Sequence, residues 1–100
     1  MSFNFRYMIT FGQYSKAIKD LPFAKMQEYM QNYVKWAEKY KVKVLFYGTP
    51  WGVSDTLVAV FDYGGDIDNY VKFKVAMTQE NKEIFDMATS YSVLEWPKVA

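Results

Sequence analysis

The chain contains no cysteine and no histidine in 100 residues. The first absence excludes disulfides, thiolate nucleophiles and thiol redox chemistry; together they exclude the usual nitrogen and sulfur ligands of zinc. The second also removes the commonest general base near neutral pH and the usual proximal ligand of haem iron. Arginine occurs once, at Arg6. No glycine-rich phosphate loop follows a strand, since Gly64-Gly65 stands without the rest of that pattern. No serine sits in a nucleophile elbow, and without histidine the standard triad cannot form. Glu80 and Glu83, at helical spacing, read as a solvent-exposed pair without nitrogen ligands beside it, so neither a metal nor another cofactor is expected. Any catalysis would rest on carboxylates, lysine, tyrosine or the one arginine.

Other absences concern location and partners. No apolar run approaches the ~20 residues of a bilayer span. Residues Met1 to Thr10 show no charged segment followed by an apolar one, so no secretory signal is read and a cytoplasmic protein is expected. Twelve basic residues face eleven acidic ones, and the lysines are interleaved with Glu and Asp rather than gathered in a stripe. That pattern argues against nucleic acid as a partner, and no membrane partner is expected from the lack of a spanning apolar run.

What the chain does have is rings. Eight Phe, nine Tyr and three Trp make a fifth of its residues. One hundred residues support a single domain with limited interior volume, so part of this aromatic surface is expected in an interface with another copy.

Residues Phe3, Phe5, Tyr7, Ile9 and Phe11 alternate with Asn4, Arg6, Met8 and Thr10, which is the period of a strand ended by Gly12. The segment Gln13 to Asp20 reads as a loop. Over residues 22–40, Phe23, Met26, Tyr29, Met30, Tyr33, Val34, Trp36, Ala37 and Tyr40 fall in one arc at 100° per residue. Charged and amide residues fill the other arc. This is an amphipathic helix with Pro22 in its first turn and Asp20 as a candidate cap. Val42 to Tyr47 and Thr56 to Tyr63 read as strands joined by the turn-rich run Gly48 to Asp55. Asp66 is placed to cap a helix over Ile67 to Met77. A further helical turn is expected within 79–88, and a last strand over Ser90 to Trp96, stopped by Pro97.

The order β-α-β-β-α-β predicts an α+β, ferredoxin-like domain: a four-stranded antiparallel sheet in order 4-1-3-2 with both helices on one face. Val58, Val60 and Met8 alternate with Leu57, Ala59, Phe61 and Ile9, so both faces of the central strands are apolar. The face without helices then needs a second sheet. In length, element order and this patterning, with the local run Tyr-Gly-Thr-Pro-Trp-Gly at 47–52, the chain resembles the dimeric α/β-barrel superfamily. That superfamily holds small monooxygenases, stress-response proteins and muconolactone isomerase-like proteins. The resemblance implies a homodimer, or a higher oligomer, in which two sheets pack face to face and ligands bind between sheet and helices. Several of its members use a histidine that this chain lacks.

Three groups of residues stand out as candidate sites. Lys74 falls among Ile67, Tyr70 and Val71 in the arc of the second helix that faces the sheet, while Asp68, Asn69, Lys72 and Ala76 take the solvent arc. It either faces a ligand or covers apolar surface with its stem while the ammonium reaches water. Tyr47, Trp51, Tyr63 and Tyr91, aromatic groups with a polar handle near strand ends, are candidates to line a pocket for a planar apolar ligand, or to pack a core or interface. Arg6, with Asp62 and Glu95 at neighbouring strand ends, forms a candidate ionic cluster, structural or anion-anchoring.

Two functions follow from different classes. The first is a homodimeric protein that binds a small apolar or aromatic ligand without catalysis. The second is a cofactor-independent monooxygenase or isomerase of the kind the superfamily contains, acting on small aromatic or ketone substrates, with Lys74 and either Tyr63 or Glu95 as its working groups.

Overall fold

The computed structural model of the chain describes residues 4–52 and 56–97. Phe3 and the end of the turn-rich run, residues 53–55, lie outside them. Six elements follow in order: β1 (Asn4–Tyr14), α1 (Phe23–Glu38), β2 (Lys43–Gly48), β3 (Thr56–Asp62), α2 (Ile67–Gln79) and β4 (Phe85–Glu95). The four strands form one antiparallel sheet in the order β2-β3-β1-β4, which read from the β4 edge is 4-1-3-2. The fold is α+β with the ferredoxin-like succession of elements. No helix among the described residues is long and apolar enough to cross a membrane.

Three boundaries differ from the sequence expectation, each for a local reason. β1 runs through Gly12 to Tyr14 instead of stopping there. Gly12 is the point where β4 comes closest: the register shifts between Phe11 and Gln13, and Met87 takes a positive φ of 52°. A Cβ on Gly12 would stand 2.7 Å from Ala88 Cα, so only glycine fits. The helical turn expected within 79–88 is not formed. Asn81, at φ 57°, ends the chain's helical course after α2, and Phe85 pairs with Tyr14 as the first residue of β4. Sheet pairing and the burial of Ile84 and Phe85 outweigh the local helical preference of this segment. At the start of α1, Pro22 occupies the N-cap position and no side chain caps the helix, so Asp20 does not take that role. Asp66 does cap α2, its carboxylate accepting from the Asp68 amide at 3.0 Å.

The covered face of the sheet carries the core. Met8 and Thr10 of β1 and Leu57, Ala59 and Phe61 of β3 are all buried, facing Met30, Tyr33 and Ala37 of α1 and Tyr70, Phe73 and Met77 of α2. Tyr33 meets Phe73 edge-on at 5.1 Å and Phe61 at 6.5 Å between ring centroids, an arrangement that suits the ring quadrupoles. The arc of α2 that meets the sheet is narrower than its sequence suggests. Ile67, Val71 and Val75 form an exposed flank, whereas Ala76 packs partly against the core.

The opposite face has no helix. Register places Tyr91, Ile9, Val60 and Phe46 in one row across all four strands, with Val93, Tyr7 and Asp62 on one side of it and Thr89, Phe11 and Val58 on the other. Phe11, Phe46 and Tyr91 are exposed, and Phe11 and Tyr91 stack in a tilted pair at 5.9 Å.

Candidate functional site

A cleft of about 530 Å3 opens where the first turns of α1 pass over the ends of β2 and β3. That volume is the size of an ordinary small-molecule site. The helix enters here with Pro22 at its start, and the spacing of Met26 and Met30 turns an apolar stripe towards the strands, with the exposed Phe23 at the lip of the cleft. With Leu21 and Leu57 these side chains make the apolar wall. Tyr47 projects from β2 on the covered face, opposite Ala59, whose small side chain leaves room beside it. Tyr14, Gln27, Gln31 and Thr49 complete the lining, and no lining residue is charged.

The polar side chains of this cleft are unpaired among the described residues, whereas most tyrosine hydroxyls of the molecule are not. The hydroxyls of Tyr7, Tyr29, Tyr33, Tyr63 and Tyr70 each have a hydrogen-bond partner. Among the described residues the hydroxyls of Tyr14 and Tyr47, and the amides of Gln27 and Gln31, have none. They stand open to the cleft and to solvent.

Lys74 lies in a different place. Its ammonium donates to Glu83 Oε2 at 2.7 Å and to the Tyr33 hydroxyl at 2.9 Å, and that hydroxyl donates to Glu83 Oε1 at 2.6 Å. The aromatic rings of Phe61 and Phe85 stand 4.8 and 4.9 Å from the nitrogen. Burial lowers the pKa of Lys74, and Glu83 acts against that shift. Burial, followed by the Glu83 charge, pushes the Tyr33 phenol well above its usual range. The lysine does not line the cleft: its side chain is mostly buried and is one vertex of a mutually satisfied triangle. Among the described residues no buried side-chain nitrogen or oxygen lacks a partner.

The remaining candidates are dispersed. Tyr63 is buried and its hydroxyl pairs with Ser92 at 2.7 Å. Tyr91 lies on the bare face of the sheet, and Trp51 is wholly exposed on the loop after β2. Only Tyr47 of the four aromatic candidates lines the cleft. Arg6 meets Asp62 through two hydrogen bonds, Nε at 3.2 Å and Nη2 at 2.7 Å, and its guanidinium lies 5.3 Å from the Tyr7 ring centroid. Glu95 joins this group through the Tyr7 hydroxyl, 3.5 Å away. The Arg6 hydrogen bond holds the Asp62 carboxyl below its usual range despite partial burial. This geometry commits the Nε/Nη2 edge of the guanidinium to Asp62.

Glu83 was read from the sequence as exposed and is half-buried. The signal that would have found it is Lys74 itself: a lysine in an apolar arc calls for a carboxylate within reach. Glu83 immediately precedes the buried pair Ile84-Phe85, which draws it inward. Gln27 and Gln31 carried no signal, since glutamines one turn apart on a polar arc look like any solvated face.

No family model, no curated protein and no solved structure matches this chain.

Proposed function

We propose that the chain is a non-catalytic binding protein for a small, neutral, apolar or aromatic molecule, held in the cleft between α1 and the ends of β2 and β3. The observation that carries this reading is a cavity of about 530 Å3 with an apolar wall and no charged lining residue. A ligand there would insert between Met26 and Met30 on the helix and Tyr47 and Leu57 on the sheet. Methionine suits such a wall, because its thioether adapts to rings of different outline.

The working form in this proposal is a homodimer made by the bare sheet face. The row Tyr91–Ile9–Val60–Phe46 and its flanking residues offer an apolar patch to a second copy, and an isologous contact would place the same row on both sides. An interface larger than the ~1,600 Å2 standard size is expected. The same face in water would leave Phe11, Phe46 and Tyr91 exposed together. The resemblance to dimeric α/β barrels points the same way.

The alternative, a cofactor-independent monooxygenase or isomerase, needs a lysine or carboxylate directed at substrate. Lys74 and Glu83 are directed at each other and at Tyr33, which favours the binding reading. The test is calorimetric titration with neutral bicyclic aromatics, alongside the variant Met26→Trp. Wild type is expected to bind with a micromolar Kd, and the variant, its cleft filled by an indole, to lose at least tenfold. Equal affinity in both proteins would remove the cleft as the site.

A further inference from the structure

Resting on that reading, we infer that the cleft selects a neutral ligand bearing one hydrogen-bonding group, a phenol, ketone or amide on an apolar ring system, and that the amides of Gln27 and Gln31 read this group. Three observations converge. First, the lining contains no charge, in a chain where 23% of residues are charged. A carboxylate or ammonium entering it would give up water for no counterion. Second, Gln27 and Gln31 stand one helical turn apart, so both amides lie on the same side of α1, above the apolar stripe of Met26 and Met30. Third, the hydrogen-bonding capacity of the cleft's own polar side chains is unspent among the described residues. Five of the nine tyrosine hydroxyls are engaged with other residues; Tyr14 and Tyr47 of the cleft, like Tyr40 and Tyr91 outside it, have no hydroxyl partner among the described residues.

An amide both donates and accepts, as does a phenol, so this wall accommodates either sense of hydrogen bond from a neutral group. It offers nothing of comparable strength to an anion, which needs a guanidinium, an ammonium or clustered backbone amides. The single arginine is committed to Asp62, and Lys74 to Glu83. A pure hydrocarbon would fill the apolar wall but displace water from the two amides and two phenols without replacing its hydrogen bonds.

Three probes of one shape separate these cases: naphthalene, 2-naphthol and 2-naphthoate, titrated at pH 7 into wild type, into Gln27→Leu/Gln31→Leu and into Tyr47→Phe. Both glutamines are exposed on a helix and leucine is a good helix former, so the double variant is expected to keep the fold, as circular dichroism will report. Wild type should bind 2-naphthol at least about tenfold more tightly than naphthalene, the ratio that one or two neutral hydrogen bonds supply, and 2-naphthoate more weakly than either. In the double variant the naphthol-to-naphthalene ratio should fall below about threefold while naphthalene binds as well or better, and Tyr47→Phe should give an intermediate ratio. A wild-type ratio near one, a ratio unchanged in the double variant, or naphthoate binding as tightly as naphthol would each overturn the inference while leaving an apolar binding cleft intact. Failure of all three probes to bind would overturn the cleft as a ligand site altogether.

Discussion

The molecule has two regions where aromatic rings and polar groups meet, and they are built in opposite ways. Beneath α2, Lys74, Glu83 and Tyr33 satisfy one another within 2.9 Å, enclosed by Phe61, Phe73 and Phe85. Under the start of α1, the side chains of Tyr14, Tyr47, Gln27 and Gln31 surround an open volume, and their polar groups have no partner among the described residues. A charged group in an apolar setting draws attention as a site, but burial forces it to find partners, and a partnered group is closed to a ligand. Neutral groups at the rim of a cleft carry no such compulsion and stay available. Perturbed pKa values mark the first region, and an open volume with an uncharged lining marks the second.

The largest effect should come from opening the closed region. Lys74→Met leaves a mostly buried carboxylate without its cation and should cost about 3–5 kcal/mol in urea unfolding. Adding Glu83→Gln should restore most of it, since the pair is then removed rather than broken. A neutral Lys74→Met would mean that the ammonium is not desolvated. Next, Met30→Ala, which removes a buried side chain shared by core and cleft, should cost roughly 2–5 kcal/mol, while Glu28→Ala on the exposed face of α1 should stay within about 0.5 kcal/mol. Equal effects would mean that the two faces of the helix are misassigned. Thr10→Val removes the buried hydroxyl that links Tyr70 and Ser90 and should cost about 1 kcal/mol by the same measurement; a stabilised variant would contradict that link.

The smallest effect concerns pH. The folded Asp62 titrates below its ordinary value of 3.8 because it accepts from Arg6. Its contribution is therefore complete above that value and is lost as pH falls through the lower, folded pKa. Asp62→Asn should flatten this part of the acid limb of the stability curve while leaving the neutral region's slope unchanged. An unaltered acid limb would show that the Arg6 pair contributes nothing in solution, as many exposed pairs do not.

Much of the fold was legible because its signals were local and periodic: the alternation of Tyr7, Ile9 and Phe11, the single apolar arc of α1 and the Asp66 cap. The missed features depended on contacts distant in sequence. Gly12 reads as a terminator until β4 brings Ala88 against it. Ile67 and Val71 read as core until the sheet proves too narrow to cover that flank of α2. The site was less legible for the same reason. Lys74 was conspicuous and Tyr47 a candidate, but the space beside Tyr47 exists because Ala59 lies across from it and α1 passes overhead. Volume between elements has no signature in a one-dimensional pattern.

The central claim, that the cleft under α1 and not the Lys74 region is where a ligand binds, is tested most directly by a backbone amide NMR titration with 2-naphthol. The account predicts saturable shifts concentrated at Tyr14, in the Met26 to Gln31 turn and at Tyr47 to Thr49, with the amides of Lys74 and Glu83 unmoved. Shifts centred on Lys74, Glu83 and Phe85, with the α1 turn silent, would contradict it.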